Sequence, residues 1–507
     1  MNELYLNKLL IDSKKVDKSL VPYSDDLLNL PIKIIQFGEG NFIRAFFDYF
    51  IHKLNCNNLF NGRIAVLKPR EGNLSKLRKQ DCLFTLITAG LDKGKNIYEK
   101  EIIASIGEAI DTYSDWQNVL KLAKDSNIKV VVSNTTERGI KFEGSDKFDD
   151  KPPSSFPAKL TRMLYERYAA LENVDGLIII PLELIENNGD ILRDIILKYA
   201  DMWGLDNKFK EWVKGKNLFV NTLVDRIVPG YPMKDAEQIF NEIGYRDNYL
   251  TFAENYHLFA IEETKAIKEI LPFDKVGLNV IFDEDISTYR DLKLKILNGA
   301  HTAMVSIAIL KNVNFVKDIF RDEKLNNCIN KIIFKEIVPT IKYDKNLVLN
   351  FANEVMERFK NPYIEHKWTD IFTNSITKFQ IRLFPTINKY YEMNGKAPHL
   401  ISFSYAFLIS LLRYSEWENN RLIVSYDNRK IIVTDEVDNL IYLCTLWKEL
   451  QNNNITIDDF IGKIINNKKI CSINNDFAKD FGCILSQHLS NLKKQSFDQY
   501  VEYLISR

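Results

Sequence analysis

No Cys-x-x-Cys pair occurs among the six cysteines of this 507-residue chain. Cys56, Cys82, Cys328, Cys444, Cys471 and Cys483 stand singly, which fits reduced core thiols and excludes both a disulfide framework and a zinc cluster. Histidine is equally sparse. His52, His257, His301, His366, His399 and His488 include no His-Glu-x-x-His pair, so zinc-dependent alcohol oxidation has no ligand set and no metal is expected. Net charge is absent too: 68 basic residues balance 68 acidic ones, removing the field that draws proteins to nucleic acid or anionic lipid. No apolar run reaches the ~18 residues of a membrane span. The opening Met1-Asn-Glu-Leu-Tyr-Leu-Asn-Lys8 has no basic stretch followed by an apolar one. A soluble cytoplasmic protein without nucleic-acid or membrane partners is expected. Apolar helical faces serve cores and interfaces alike, so the oligomeric state stays open.

What is present is 46% hydrophobic residues, ample for two or three domains. Pro31 precedes a β-type run over 32–37, then Gly38-Glu39-Gly40-Asn41-Phe42-Ile43-Arg44-Ala45 and an amphipathic stretch through Leu54. This is strand, tight glycine turn, helix. A second β-type run over 63–67 returns at the spacing of a βαβ unit. Further β-type runs at 83–88, 129–133, 176–181 and 218–220, with helical patterns at 116–123 and 158–171, predict an α/β domain with a mostly parallel sheet. Beyond residue 290 the apolar spacing turns helical, at 302–310, 328–341, 347–359 and 400–412. The predicted division is a nucleotide-binding domain over 1–290 and a helical substrate domain over 291–507.

Gly38-x-Gly40 lets the backbone turn tightly and approach a pyrophosphate, whose charge the following helix N-terminus would stabilise. Ile43 stands where the usual third glycine would be, so an ordinary strand-to-helix turn is the competing reading. The second strand ends at Lys68-Pro69-Arg70-Glu71, where an NAD site usually carries an acid. Lys68 and Arg70 would suit the extra phosphate of NADP, and the residues alone leave that choice open. Ser133-Asn134-Thr135-Thr136-Glu137 follows another strand at the ligand-binding edge. Its hydroxyls and amides suit the nicotinamide half or, equally, an Asx or Ser/Thr turn.

The run Lys293-Leu-Lys-Ile-Leu-Asn298-Gly-Ala-His301 sets three chemically capable side chains in an apolar segment. On a regular helix Asn298 and His301 lie about 60° apart, and Lys293 about 80° from His301 and about 12 Å below it. Each has a bland reading, as a solvated lysine or a packed histidine. Together they point to metal-independent reduction of a sugar-like ketone, which needs a hydride at carbon and a proton for the alkoxide. Lys293 supplies that proton if it is desolvated in a cleft and crowded by the cation Lys295. Asn298 and His301 would donate hydrogen bonds to the substrate oxygens. Two rivals stand beside this. Tyr426-x3-Lys430 has short-chain dehydrogenase spacing, a match expected by chance among 23 tyrosines. A dinucleotide-binding sensor without turnover would need none of the three residues.

Phe37-Gly-Glu-Gly-Asn-Phe-Ile-Arg-Ala45, Ser133 to Glu137, Val224-Asp225-Arg226-Ile227-Val-Pro229, Lys293-x4-Asn298-x2-His301 and Arg358-Phe-Lys-Asn-Pro362 occur in a telling order. From about residue 30 to at least residue 385 the chain resembles the mannitol dehydrogenase family of long-chain polyol dehydrogenases and hexuronate reductases. Ile34-Ile-Gln-Phe-Gly-Glu-Gly-Asn-Phe42, Pro181-Leu-Glu-Leu-Ile185, Ile296-Leu-Asn-Gly-Ala-His-Thr-Ala303 and Asn361-Pro-Tyr-Ile364 look like its tagaturonate-reducing branch. The resemblance implies a Rossmann-type N-terminal domain, a helical C-terminal domain and metal-free, NAD(P)-dependent interconversion of a secondary alcohol and a ketone. For this branch it implies NAD, with the hexuronate pair D-altronate and D-tagaturonate; fructuronate reduction and mannitol or mannitol-phosphate oxidation belong to the same family.

Carried onto this chain, the resemblance makes Lys293 the acid/base, with Asn298 and His301 orienting and polarising the substrate oxygen. Cofactor contacts are expected at Phe37, Gly38, Gly40, Asn41, Phe42, Lys68, Ser133, Asn134, Thr135 and Asp225, although Asp225-Arg226 could equally be a structural ion pair. Substrate contacts are expected at Glu183, Arg358 and Lys378. For the carboxylate, Arg358, Lys378 and Arg382 are the candidate cations, with Lys378 favoured because the family places a substrate-contacting lysine in this segment. One departure matters. Polyol-oxidising members carry Asp-Asn before an Asn-Gly, whereas Glu183-Leu184 precede Asn188-Gly189 here, which disfavours mannitol and favours the uronate branch.

Overall fold

In a computed structural model the chain divides into two compact units, Met1–Ile286 and Ser287–Arg507. Residues 4–503 are described, apart from 22–23, 137, 172–174, 264, 420, 427, 495–498 and 501–502. Glu137, the last residue of the 133–137 motif, therefore lies outside the described residues.

The strands of the first unit begin with β1 (Ile32–Phe37), β2 (Arg63–Lys68), β3 (Phe84–Asp92), β4 (Lys95–Ile103), β5 (Ile106–Asp111) and β6 (Val130–Ser133). They continue with β7 (Ile178–Pro181), β8 (Leu218–Phe219), β9 (Thr222–Asp225), β10 (Thr251–Glu254), β11 (Leu258–Glu262) and β12 (Val280–Asp283). The main sheet has six parallel strands in the order β5-β2-β1-β6-β7-β8. Helices cover both faces, so β6 and β7 are buried throughout and read as unbroken apolar runs. Alternation along β1 divides the core: Ile34 packs with the helical stretch 41–56 on one face, and Ile35 and Phe37 with the helices Trp116–Ala123 and Phe156–Ala170 on the other. The strand order reverses between β1 and β6, and the carboxyl ends flanking such a switch point form the ligand crevice of open α/β sheets.

The run over 83–88, expected among the parallel strands, belongs elsewhere. β3 pairs antiparallel with β4 along its whole length and parallel with β10. Lys93 and Gly94 turn the hairpin with φ of 50° and 77°, the positive values that match the twist of a two-residue connection. A further small sheet has the order β12-β11-β9.

The second unit is built mainly of helices. Its first stretch passes from an α-helix, Ser287–Leu292, through a π-helical turn, Lys293–Asn298, into a second α-helix, Gly299–Leu310. Gly299–Leu310 is buried at every position, as its all-round apolarity requires, and forms the centre of this unit. Small residues let it approach the helix His399–Leu411, where Ser306 Oγ donates to the Ser404 carbonyl at 3.1 Å. A three-stranded antiparallel sheet interrupts the helical pattern: β13 (Ser415–Glu418), β14 (Arg421–Tyr426) and β15 (Arg429–Val433). Tyr426 and Lys430 fall on the two arms of the β14–β15 hairpin, so no helical turn stacks them as a Tyr-x3-Lys pair. Asp427, between them, lies outside the described residues. Among the described residues no helix is long and apolar enough to cross a membrane.

Candidate active-site residues

Gly38 leaves β1 with φ +115°, and a Cβ there would stand 2.8 Å from the Asn134 carbonyl oxygen. Only glycine satisfies both demands. Its amide donates to the Leu67 carbonyl at 3.0 Å, while the Asn134 amide donates to the Phe37 carbonyl at 3.0 Å, so the ends of β1, β2 and β6 are tied together. Gly40 differs: its φ is ordinary and a Cβ would meet nothing within 4 Å, leaving the approach to the helix start at Asn41 open. An open helix N-terminus beneath a glycine turn fits the pyrophosphate of a dinucleotide.

The residues behind this turn are mutually engaged. Asn41 Oδ1 accepts from Arg44 Nη2 at 2.7 Å, and the same guanidinium donates to Thr251 Oγ1 at 3.0 Å and to the Glu39 carbonyl. Burial holds Arg44 below its ordinary value, with Asp48 opposing the shift. Phe42 stacks on Phe46 at 5.1 Å. Gln36 Nε2 donates to the Gly38 carbonyl at 3.1 Å and to Asp48 Oδ2 at 3.3 Å, and burial pushes the Asp48 carboxyl up to about 7. Both Arg44 and Asp48 lie in a π-helical turn, Arg44–Asp48.

Several residues expected at the cofactor or substrate are engaged within the protein. Phe37 is wholly buried against Phe156 at 4.8 Å, because its position on β1 turns the ring into the core rather than toward a ligand. Lys68 forms an ion pair with Glu39, so its charge is neutralised within the protein. Glu183, expected at the substrate, is 2% exposed. Its Oε1 accepts from the Thr135 amide and hydroxyl, both at 2.8 Å, and its Oε2 from Ser133 Oγ at 3.0 Å. The carboxylate thus holds the 133–135 loop in shape, and burial raises it above its ordinary value. Leu184 beside it is exposed. Asn188 bridges the Pro181 and Glu183 carbonyls at 3.0 Å each and accepts from the Thr222 amide at 2.9 Å, a structural role. Asp225 is buried at the end of β9. Arg226 beside it donates to the carbonyls of Ala45 and, at 2.8 Å, Glu254, joining the π turn to β10.

In the second unit, a π turn replaces the regular helix on which the angles from Lys293 to Asn298 were reckoned. Hydrogen bonding to the fifth residue widens the turn, so the regular-helix angles do not carry over; such turns recur at functional sites. Lys295 is the nearby cation expected to lower Lys293. It pairs with Asp291 at 2.7 Å, and Tyr343 donates to the same carboxylate at 3.0 Å. Asn298 closes the turn, its carbonyl accepting from Thr302 Oγ1 at 2.8 Å.

His301 is 7% exposed, and among the described residues its Nε2 has no hydrogen-bond partner. Its ring lies against Phe359 at 4.4 Å, His366 at 5.1 Å and Trp368 at 6.1 Å. Burial first, then His366, Arg358, Arg382 and Lys378, hold it well below the ordinary imidazole range, so it is neutral at physiological pH. Arg358, Arg382 and Lys378 thus each disfavour a positive charge on this histidine. Lys378 and Arg382 share a face of the helix Ser375–Arg382, one turn apart, where like charges repel. His366, Thr302 and the aromatic walls were not singled out from sequence. The signal for His366 was its place between Arg358 and Lys378 in a chain of six histidines.

Residues 32–275 match the Mannitol dehydrogenase Rossmann domain and residues 285–464 the Mannitol dehydrogenase C-terminal domain. The chain belongs to the mannitol dehydrogenase family. It is accordingly an oxidoreductase acting on a CH–OH group. Similar relatives include the altronate oxidoreductases of Bacillus subtilis (strain 168), 40% identical over 76% of this chain and 80% of theirs, and of Halalkalibacterium halodurans, 37% identical over 88% and 87%. That of Yersinia enterocolitica is 38% identical over 86% and 89%. Among solved structures, the fold of this family member is similar to a Pseudomonas fluorescens mannitol 2-dehydrogenase, with a TM-score of 0.71 at 19% identity over 99% of this chain and 100% of that one. A D-sorbitol dehydrogenase gives a TM-score of 0.79 at 19% identity with the same coverage.

Proposed function

We propose that this protein is a cytoplasmic enzyme that interconverts D-tagaturonate and D-altronate with NAD, using Lys293 as acid/base and no metal. The observation that carries this reading is the buried His301, eight residues beyond Lys293, whose Nε2 has no hydrogen-bond partner among the described residues and whose charged form Arg358, Arg382 and Lys378 disfavour. A sugar carboxylate would supply a counter-charge for Arg382, which among the described residues has none, and a neutral polyol would not. The names of the similar relatives support the same substrate pair.

Residues 1–290 would hold the dinucleotide, with its pyrophosphate over Gly38, Gly40 and the helix start at Asn41. Asn134 and Thr135, at the end of β6, would border the nicotinamide half. The Lys68–Glu39 ion pair supports NAD over NADP, since Lys68 is not an uncommitted cation for an added phosphate. When bound, the reduced cofactor supplies the hydride that reaches the carbonyl carbon. Within residues 291–507, Lys293 Nζ gives the proton to the alkoxide oxygen and takes it back in the reverse direction. His301, in its Nε2–H tautomer, and Asn298 donate hydrogen bonds to the substrate oxygens, and the aromatic walls around His301 keep water from that nitrogen.

The test is oxidation of NADH followed at 340 nm with purified protein, offered D-tagaturonate, D-fructuronate and D-fructose in parallel and each repeated with NADPH. Preference for D-tagaturonate with NADH is expected. Preference for D-fructose contradicts the sugar-acid reading, and binding of NADH without turnover of any ketose returns the sensor.

A further inference from the structure

The three cations near His301 are not equivalent. Arg358 lies one turn from Glu354, whose carboxyl feels its charge. Lys378 donates to the Ile371 carbonyl at 2.8 Å and reaches Thr373 Oγ1 at 3.4 Å, closing the end of the helix Trp368–Phe372, and it feels the charge of Asp435. Arg382 has no such neighbour. Its Nη1 donates to Thr302 Oγ1 at 3.1 Å and reaches the Asn298 carbonyl at 3.5 Å, and among the described residues no carboxylate pairs with it. Burial alone draws it down, to about 10.

A guanidinium carries N–H donors on two edges of a rigid plane. Among the described residues the hydrogen bonds of Arg382 come from Nη1, and both fall on residues that bracket His301. Its Nη2 and Nε donors are left for something else, beside the pair that would polarise the substrate oxygen. A half-buried guanidinium without a counter-charge is costly, and a carboxylate, planar and bidentate, is the ligand that matches the fork.

We propose that Arg382 is the specificity-determining residue, receiving the carboxylate of a ketohexuronate through two hydrogen bonds, while Lys378 is a positioning residue that fixes the wall of the site. This rests on the sugar-acid function proposed above. Because Arg382 is anchored to Thr302 and Asn298, it sets a fixed separation between the bound carboxylate and the reacting carbonyl, and so selects for chain length as well as charge.

Full-length Arg382→Gln, Arg382→Lys and Lys378→Gln would be compared with wild type. Two readouts are needed: kcat/KM with NADH for D-tagaturonate and for its neutral counterpart D-tagatose, and calorimetric binding of D-altronate to the enzyme–NADH complex. Arg382→Gln is expected to lower the tagaturonate-to-tagatose ratio about 100-fold and to weaken D-altronate binding by a similar factor. Arg382→Lys should recover only a small part, because a point charge lacks the fork. Lys378→Gln should lower both substrates by a common factor. Thermal melts and the NADH affinity identify any variant that fails to fold, and Arg382→Lys then carries the test. Equal loss on both substrates in Arg382→Gln, or a ratio that instead follows Lys378→Gln, overturns the assignment. Wild type that binds no sugar acid overturns the functional proposal itself, whereas wild-type and Arg382→Gln proteins that bind D-altronate alike overturn Arg382 alone.

Discussion

The charged groups behind the glycine turn of the first unit are met by partners within the protein, whereas among the described residues no carboxylate meets Arg382 near His301 in the second. Arg44 meets Asn41, Thr251 and a backbone carbonyl; Glu183 is met by Ser133 and Thr135; Lys68 is paired with Glu39. Near His301, among the described residues, Arg382 has no carboxylate partner and the His301 Nε2 has no hydrogen-bond partner. The contrast teaches that the first unit spends its charged side chains on shaping a turn and a loop, while the second keeps the guanidinium of Arg382 for the sugar acid proposed above. Binding through backbone suits a pyrophosphate, and unneutralised cations suit a small anion.

The sharpest way to break this contrast is at Lys293. Lys293→Ala is expected to reduce turnover by about 1000-fold while fluorescence titration still finds NADH bound near wild-type affinity. Surviving turnover would remove Lys293 from the chemistry. Next in size, His301→Gln should cost about 100-fold in kcat/KM, through a lost hydrogen bond at the developing charge, with NADH affinity again retained.

Glu183 sharpens the comparison from the other side. Glu183→Ala leaves the Thr135 amide and two hydroxyls without their acceptor, a loss on the order of 1–3 kcal/mol of stability. It should weaken NADH several-fold while KM for the ketose changes little; the reverse pattern would return Glu183 to the substrate. A further effect concerns pH. Asp48 titrates at about 7 when folded against 3.8 as a free side chain, so through that interval the native state retains a proton the unfolded chain has released. Stability therefore falls as pH rises from about 4 to about 7 and stays lowered above. Asp48→Asn, neutral throughout, should show a flatter melting temperature between pH 5 and pH 8, and an unchanged slope would exclude Asp48 as its source.

Local chemistry was the legible part. A β-type run ending at Gly38 announces a strand and a tight turn because φ +115° is a demand that one residue type meets. Cations at Arg358, Lys378 and Arg382 were legible as candidates, since their charge is visible in any context. Their ranking was not. Lys378 is engaged by the Ile371 carbonyl seven residues earlier, and Arg382 by Thr302 eighty residues away, distances over which spacing is silent. Glu183 is similar: its partner Thr135 lies 48 residues upstream. The π turn at Lys293–Asn298 escapes periodicity because one residue of register is decided by packing, not by pattern. The β14 strand did carry its signal, a buried residue at every second position in Leu422 and Val424, inside a region whose helical spacing dominated.

The most direct measurement is the ratio of kcat/KM for D-tagaturonate over D-tagatose in the wild-type enzyme with NADH. The two substrates differ by a carboxylate in place of a hydroxymethyl group. Charge held in reserve around His301 predicts a ratio of about 1000 or more, the scale of a desolvated, bidentate ion pair. A ratio near one, or a preference for D-tagatose, would contradict it.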